Sequence, residues 1–308
     1  MVTYLRPKSN AIWCDGTVGA GGHVAALLNS VAETRAKAWV IGLDRDAEML
    51  KLARQKLHDF HFHGHQINLV QANYSNLAGA LAQVGIKPHQ LDFILLDLGL
   101  SRIHFKNSER GFSFSLEGPL DMRMNRQDIT TALEFLQESS EQQLKEVLSD
   151  FGEESWAGPI AKAIKMEINK NSLHTTKDLA ELVRRTIPKK HHPKIIDPAT
   201  KTFQAIRMKV NDEIHHLEVF LKEFPHWIKK GGRLGMITFH SLEDRLVKRA
   251  FQTYSKGCIC PPDFPVCRCG KKPILRLINR KPLRPTPKEI FQNPPSRSAK
   301  FRVVEMIA

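Results

Sequence analysis

A glycine-rich turn that follows the first apolar run of the chain constrains its fold most strongly. Ala11-Ile12-Trp13-Cys14 is typical of a short buried strand, and Asp15-Gly16-Thr17-Val18-Gly19-Ala20-Gly21-Gly22-His23 comes directly after it. Glycines let the backbone turn sharply and let a ligand approach without a Cβ in the way. A helix is predicted to open over residues 23–29, and its first N–H groups are then available to a bound group. The sequence therefore predicts a strand–loop–helix unit that binds a ligand.

The spacing of this turn restricts the class of ligand. A dinucleotide fingerprint read from Gly19 would need its third glycine at Val24, and no Gly-Lys-Ser/Thr follows to make a P-loop. A second apolar strand, 39–43, ends at Asp44, where a carboxylate can accept hydrogen bonds from ribose hydroxyls. This pattern suits S-adenosylmethionine, which has a nucleoside and an amino-acid tail but no phosphate. A structural glycine turn without a ligand is the alternative, and Asp44 disfavours it.

The charge of the chain points to a polyanionic partner. Its 308 residues carry a formal net charge of +14, which favours nucleic acid, although generic surface lysine is the alternative. No apolar run reaches the roughly 18 residues of a membrane span, and residues 1–7 lack the apolar centre of a signal peptide. Five cysteines without a secretory signal indicate a reducing compartment. We therefore expect a cytoplasmic protein that does not engage a membrane.

Strand and helix patterns alternate over residues 11–97, as a doubly wound α/β sheet requires. The third and fourth strands are predicted at 67–70 and 91–96, and the fourth ends at Asp97. Helical patterns without a convincing strand then follow at 131–138, 140–148, 156–169 and 176–187. The α/β pattern resumes with a helix at 202–224, a Gly231-Gly232 turn, a strand at 233–239, a helix from Ser241 and a last strand at 300–307. The predicted organisation is one α/β domain, residues 1–100 and 201–308, with an inserted helical domain at 101–200.

Several polar side chains at the predicted strand ends have two interpretations each. Asp97 could accept a hydrogen bond from a substrate amine, or it could bind the cofactor or cap a turn. His240 and Ser241 could bind substrate, or Ser241 could cap the following helix. Three arginines within turns could contact phosphates or form internal ion pairs; they are Arg110, Arg123 and Arg207.

Four cysteines lie within twelve residues near the C-terminus, at positions 258, 260, 267 and 269. They could hold zinc, but their C-x-C pairs are tighter than the usual C-x-x-C pairs of zinc sites. Reduced thiols in a proline-rich loop are the other interpretation. No metal ligand is predicted in the cofactor site itself.

The longer motifs resemble one family closely. Asp97-Leu98-Gly99-Leu100-Ser101, Glu109-Arg110-Gly111-Phe112-Ser113-Phe114, Gly118-Pro119-Leu120-Asp121-Met122-Arg123-Met124, Thr202-Phe203-Gln204-Ala205-Ile206-Arg207, Phe239-His240-Ser241-Leu242-Glu243-Asp244-Arg245 and Arg297-Ser298-Ala299-Lys300 occur in order. Together they resemble the bacterial small-subunit ribosomal RNA cytosine-N4 methyltransferases, the RsmH or MraW family. The resemblance implies a class I methyltransferase fold with an inserted helical domain, and S-adenosylmethionine as methyl donor. It also implies that the substrate is a cytosine in the decoding centre of 16S ribosomal RNA, free or in the small ribosomal subunit.

The same resemblance implies a set of cofactor contacts, namely Gly21, Gly22, His23, Asp44, Tyr74, Asp97 and His104. Tyr74 stands where the family commonly has Phe, and its ring can still stack on adenine. His104 stands where Gln is usual. The family's N-terminal His-x-Pro-Val segment is absent, from which we expect either a late start or a site that lacks part of its lid.

Two other functions share these sequence features. The same chemistry could act on a different nucleic acid, such as DNA cytosine. A basic RNA-binding or ribosome-assembly protein could also retain a relic cofactor site, which the intact Gly21, Gly22, Asp44 and Asp97 disfavour. The oligomeric state is open, with a homodimer among the options.

Overall fold

The computed structural model describes residues 1–32, 37–258, 260, 266 and 268–308. Contacts divide the chain into two compact units. The first comprises Met1–Gly99 and His215–Ala308, and the second comprises Leu100–Ile214. The predicted helical region at 101–200 lies within the second unit.

The first unit is built on a mixed sheet. Within the described residues its strands are β1 (Ala11–Asp15), β2 (Ala38–Asp44), β3 (Gln66–Gln71), β4 (Leu91–Asp97), β5 (Ile228–Thr238), β6 (Leu275–Leu277) and β7 (Lys300–Met306). They lie in the order β3-β2-β1-β4-β5-β7-β6. The first five are parallel, whereas β7 is antiparallel to both β5 and β6. This confirms the predicted doubly wound α/β sheet.

Helices make up most of the remaining described structure. In chain order they are α1 (Val2–Leu5), α2 (Gly22–Ala32), α3 (Ala47–Phe62), α4 (Leu77–Gln83), α5 (Arg102–Lys106), α6 (Ala132–Glu138), α7 (Glu141–Asp150), α8 (Ala157–Asn169), α9 (Thr176–Thr186), α10 (Thr200–Val210), α11 (Glu213–Glu223), α12 (Ser241–Ser255) and α13 (Pro287–Gln292). None of these helices is long and apolar enough to cross a membrane.

The sheet is covered on both faces because its central strands are apolar at successive positions. Neighbouring side chains on β1 point to opposite faces, so Trp13 and Cys14 enter different cores. Trp13 packs in a cluster with Leu27 of α2 and Phe93 of β4. Cys14 belongs to a second cluster that includes Phe220 of α11. Burial on both faces is typical of parallel strands with helices on either side.

The second unit is helical, with its own core of aliphatic and aromatic side chains. Its helices begin where the sequence indicated, because Thr131, Ser140 and Thr175 each form a capping box with the residue three positions later. Each box satisfies backbone N–H groups that the helix cannot pair internally.

The single helix predicted at 202–224 is wrong, because the chain forms α10 and α11 with a break between them. Asp212 has φ 48°, a left-handed conformation that ends the helix. Asn211 is buried and its side chain donates to the Met122 carbonyl oxygen (2.7 Å) and accepts from the Met124 N–H (2.8 Å). These long-range bonds fix the break, which local helical periodicity could not reveal.

The predicted Gly231-Gly232 turn is also wrong, because both glycines lie inside β5. Gly231 has φ 78°, and the β4–β5 register shifts between Leu91 and Phe93. From Ile228 to Arg233, β5 advances five residues while β4 advances two, so Gly231 lies in an irregular segment of β5 rather than between two separate elements.

Candidate functional site

Three carboxylates end three neighbouring parallel strands. Asp15 is the last residue of β1, Asp44 the last of β2 and Asp97 the last of β4. Strand β1 pairs with both β2 and β4, so the three side chains lie at one edge of the sheet. The carboxyl ends of parallel strands are where ligands bind in open α/β sheets.

The glycine turn is held in place by Asp44. The Gly19 N–H donates to Asp44 Oδ2 (2.8 Å), and the Asp46 N–H donates to Asp44 Oδ1 (2.9 Å). Gly19 and Gly21 have φ values of 52° and 81°, which L side chains rarely adopt. Helix α2 then begins at Gly22, as the sequence predicted to within a residue.

Asp15 lies buried beneath this turn. Its Oδ1 accepts from the Thr17 N–H (3.0 Å), and Thr17 Oγ1 in turn accepts from the Asp97 N–H (2.7 Å). Burial raises the pKa of Asp15 to about 6; His23 and the Thr17 hydrogen bond oppose the shift, while the charges of Asp97 and Asp44 add to it. A buried carboxyl among other carboxylates favours its neutral form.

His23, in the first turn of α2, is paired with Asp97. Asp97 Oδ2 accepts from His23 Nε2 at 3.0 Å. Burial disfavours the charged imidazole, but the hydrogen bond and the charge of Asp97 outweigh it and raise the pKa of His23. The pair holds the Asp97 carboxylate beside the glycine turn.

This group of residues fits a cationic ligand with a nucleoside. Asp15 Oδ2 and Asp97 Oδ1 are buried and have no hydrogen-bond partner among the described residues. Buried acceptors without donors are rare and mark places where a donor can bind. A Cβ at Gly22 would meet only Lys56 Nζ, at 4.0 Å. S-adenosylmethionine carries an ammonium group and a sulfonium, so the acidic cluster and the open glycine turn suit it.

Tyr74 follows the carboxyl end of β3, and therefore lies towards the edge of the sheet that carries Asp15, Asp44 and Asp97. It begins a short 3-10 turn and is half-buried, and its ring is perpendicular to that of Phe220, with the two ring centroids 5.9 Å apart. Its assignment to the cofactor's adenine stays a prediction.

His104 belongs to the second unit, in α5. It is buried there, with its ring 5.3 Å from that of Phe112. Its contact with the cofactor stays a prediction.

The three arginines singled out from the sequence all make internal interactions in the second unit. Arg110 is only 1% exposed and donates to the carbonyl oxygens of Arg123 (3.1 Å) and Met124 (2.7 Å). Arg123 pairs with Asp121 (2.9 and 2.7 Å), and Arg207 pairs with Glu213 (2.8 and 3.0 Å). The internal ion pair is therefore what the structure shows for Arg123 and Arg207, while their contact with RNA phosphates stays a prediction.

Helix α12 is capped by His240, so the predicted cap by Ser241 is wrong by one residue. His240 Nδ1 accepts from the Glu243 N–H at 3.4 Å, and Ser241 is the first helical residue. Asp244 pairs with Arg302 (2.7 Å) and Lys300 (3.3 Å) of β7. Binding of substrate by His240 and Ser241 stays a prediction.

Sequence reasoning missed two features of the site. It included Asp15 in the motif but did not single it out, although an acid at the buried end of a strand beside a glycine turn is a usable signal. It also missed the pairing of His23 with Asp97. No local pattern links residues 74 positions apart, and only the parallel arrangement of β1 and β4 brings them together.

Sequence comparisons place this geometry in a family. The profile of the MraW methylase family matches residues 1–307. The chain is 41% identical to Ribosomal RNA small subunit methyltransferase H of Heliobacterium modesticaldum, over 98% of this chain and 95% of that protein. It is 42% identical to the protein of the same name from Lawsonia intracellularis, over 99% and 96% of the two chains.

The fold assignment rests on the sheet itself. A solved rRNA methylase from Streptococcus thermophilus aligns with 100% of this chain and 92% of its own, at 11% identity and a TM-score of 0.38. The strand order β3-β2-β1-β4-β5-β7-β6, with β7 antiparallel, is that of class I S-adenosylmethionine-dependent methyltransferases. Because the family profile matches residues 1–307, almost the whole chain, and the strand order agrees with it, the chain belongs to the MraW methylase family.

Proposed function

We propose that this chain uses S-adenosylmethionine to methylate the exocyclic N4 of a cytosine in the decoding centre of 16S ribosomal RNA. The observation that carries the proposal is the cluster of Asp15, Asp44 and Asp97 around the glycine turn, in a chain matched to the family over residues 1–307. Full-length relatives that carry the name Ribosomal RNA small subunit methyltransferase H support the choice of RNA.

The geometry of the turn supports the assignment of the cofactor's residues. Asp44 accepts from ribose hydroxyls while its bonds to the Gly19 and Asp46 N–H groups keep it in place. The buried oxygens of Asp15 and Asp97 attract the cationic amino-acid end. The family resemblance adds Tyr74, which stacks on the adenine, and His104. When bound, S-adenosylmethionine supplies a methyl group that its sulfonium makes strongly electrophilic.

Activation of the acceptor falls to Asp97. The cytosine amine delocalises its lone pair into the ring and is a poor nucleophile. A carboxylate that accepts a hydrogen bond from this amine returns electron density to the nitrogen and orients it, and alignment alone can lower a barrier by several kcal/mol. The terminal torsion of an Asp side chain is soft, so Asp97 can turn an oxygen towards the amine while His23 holds the group.

Asp97 also provides a destination for the proton that the amine must release. Once N4 has gained a methyl group it carries a surplus proton, which the carboxylate accepts and passes to solvent. His23, whose pKa is raised by its hydrogen bond to Asp97, holds that carboxylate in place until the proton arrives. The pair therefore positions and stabilises the base throughout the reaction.

To reach this site, the target cytosine must leave the base stack of the RNA, as target bases do in other enzymes that modify them. We assign recognition of the surrounding RNA to the helical unit, Leu100–Ile214. Its exposed segment around Lys189, Lys190 and Lys194 carries part of the chain's positive charge. Lysines of this kind contact phosphates and contribute binding that depends on salt.

Nucleoside mass spectrometry of 16S ribosomal RNA tests this function. A strain lacking the gene should lose one N4-methylated cytidine from the decoding centre. Within a short induction, the wild-type gene and an Asp59→Asn control, altered at an exposed position of α3, should restore the modification. Asp97→Asn, at least tenfold slower, should leave most of the RNA unmodified. An unchanged modification pattern in the deletion strain, or a change in DNA cytosine instead, would contradict the proposal.

A further inference from the structure

Three cysteines after α12 form a cluster that the proposed methyl transfer does not use. The Sγ atoms of Cys258, Cys260 and Cys269 all lie within 4.8 Å of one another. Cys267, the remaining cysteine of this segment, lies outside the described residues. We propose that Cys258, Cys260 and Cys269 are ligands of a structural zinc ion.

The sulfur separation fits a shared metal. Cys258 Sγ and Cys269 Sγ are 3.8 Å apart, whereas a disulfide would require about 2.05 Å. Two thiolates bound tetrahedrally to one zinc, at about 2.3 Å each, lie about 3.8 Å apart. Structural zinc sites use four cysteines, or three cysteines and a histidine, and three thiolates within reach of each other make up most of such a set.

A backbone hydrogen bond and nearby positive charges suit a cluster of metal-bound sulfurs. The Cys260 N–H donates to Cys258 Sγ at 3.4 Å, an arrangement that orients this sulfur within the cluster. Lys256, Arg268, Lys271 and Lys272 flank the cluster in sequence. These cations offset the net negative charge that three or more thiolates leave around a divalent ion.

The described part of the segment that carries these cysteines contributes no fully buried side chain, so a cross-link would stabilise it. The connection between α12 and β6 runs from residue 256 to 274, longer than the roughly 12–15 residues of ordinary loops. None of its described residues is buried. Its ends are joined by the Ile274 N–H, which donates to the Tyr254 carbonyl oxygen (3.0 Å), and by Lys271 Nζ, which donates to that of Thr253 (2.7 Å). A metal bound by Cys258 and Cys260 near α12 and by Cys269 nearer β6 would add a further cross-link between the two ends of the connection.

The position of the cluster indicates a structural ion. Helix α12 leaves the edge of the sheet that carries Asp97 and runs back, so its end and the start of β6 lie at the opposite edge. Strand β6 is also three strands from β4 in the sheet order, or about 14 Å at ordinary strand spacing. The thiolates therefore lie far from the acidic cluster and take no part in methyl transfer.

Metal analysis of the purified, tag-free protein tests this inference. The native chain should carry about one zinc per molecule after dialysis. Cys258→Ser/Cys269→Ser should lose at least nine-tenths of it, whereas Cys14→Ala, which changes the buried cysteine of β1, should keep it. All three keep the 14 histidines of the chain, so any zinc bound by histidines alone remains in every sample.

Two further measurements do not depend on how the variants fold. Cobalt(II) added to the metal-free native chain should give the intense visible absorption of tetrahedral cobalt thiolate. Removal of zinc by a chelator should speed tryptic cleavage after Arg268 and Lys271. A protein that carries no zinc and gives no cobalt thiolate spectrum, a Cys258–Cys269 disulfide found under non-reducing conditions, or a bound iron–sulfur cluster would overturn the inference.

Discussion

The three carboxylates of the site are the same chemical group in three different environments. Asp44 is held by the backbone N–H groups of Gly19 and Asp46, and Asp97 is paired with His23. Asp15 is buried without a counterion of comparable strength, and its pKa is raised to about 6. We propose that environment separates their roles: Asp44 is a fixed acceptor, Asp97 is the base paired with His23, and Asp15 is the carboxyl that gains most from a cationic ligand.

Replacement of Asp97 tests its role as acceptor of the amine hydrogen bond. In Asp97→Asn the side chain keeps its size but is neutral, so single-turnover methyl transfer at saturating cofactor and RNA should slow at least tenfold, or about 1.4 kcal/mol of barrier. Cofactor affinity should fall by a smaller factor, and Asp59→Asn should behave as wild type. A normal rate with weakened cofactor binding would assign Asp97 to the cofactor alone.

The raised pKa of Asp15 predicts a specific dependence of stability on pH. A pKa of about 6 in the folded chain, against an ordinary value of 3.8, means that the folded state binds this proton more tightly. The cost of ionising Asp15 is thus absent at low pH and grows as pH rises through this window. From about pH 4.5 to about pH 7.5, the unfolding free energy of the wild type should fall relative to Asp15→Asn by about 2 kcal/mol. Urea unfolding without cofactor measures this difference; a pH-independent difference would refute the shifted pKa.

At the scale of elements, sequence patterns predicted what depends on local chemistry and missed what depends on distant contacts. Apolar runs predicted six of the seven strands of the described residues, and helical patterns at 131–138 and 176–187 placed the starts of α6 and α9 to within a residue. The break before α11 escaped prediction because the buried side chain of Asn211 fixes it through bonds to another loop. Strand β6, Leu275–Leu277, is too short for its sequence to show the alternation of apolar and polar residues typical of a strand. Its backbone is held in the sheet by antiparallel pairing with β7.

The glycine turn before α2 offers a matched pair of substitutions. Gly21 has φ 81°, and a Cβ there would lie 3.2 Å from Leu57 Cγ. Gly21→Ala should therefore lose about 1–3 kcal/mol of unfolding free energy, from the left-handed conformation and the tight contact. Gly22→Ala, at the first helical position with open space around it, should stay within about 0.5 kcal/mol of wild type. Equal urea midpoints for the two variants would contradict the geometry of the turn.

At the scale of the whole molecule, the chain combines an α/β unit that contains the acidic cluster with a helical unit and a net charge of +14. Strand ends and the glycine turn made Asp44 and Asp97 predictable from sequence. The internal bonds of Arg110, Arg123 and Arg207 were not predictable, because an arginine in a turn looks the same whether its partner is a phosphate or a carboxylate. The charge total likewise indicates nucleic acid without indicating which lysines contact it.

Charge reversal tests the part played by one basic segment in RNA binding. The triple variant Lys189→Glu/Lys190→Glu/Lys194→Glu should weaken binding and flatten its salt dependence by roughly one unit of slope for each lost phosphate contact. An equal charge change at three exposed lysines around the opposite edge of the sheet, Lys87, Lys222 and Lys230, serves as control. If both triple variants bind alike across a salt titration, only the overall charge matters and the segment is merely solvated.

The central claim, methyl transfer to cytosine N4, is tested most directly with the purified chain. Unmethylated 16S ribosomal RNA, free and within small subunits, is incubated with S-adenosylmethionine that carries a deuterated methyl group, and the nucleosides are analysed by mass spectrometry. We expect deuterated N4-methylcytidine from a single decoding-centre position, formed at least tenfold more slowly with Asp97→Asn. Deuterated 5-methylcytidine, label on another base, or no transfer to either form of the RNA would contradict it.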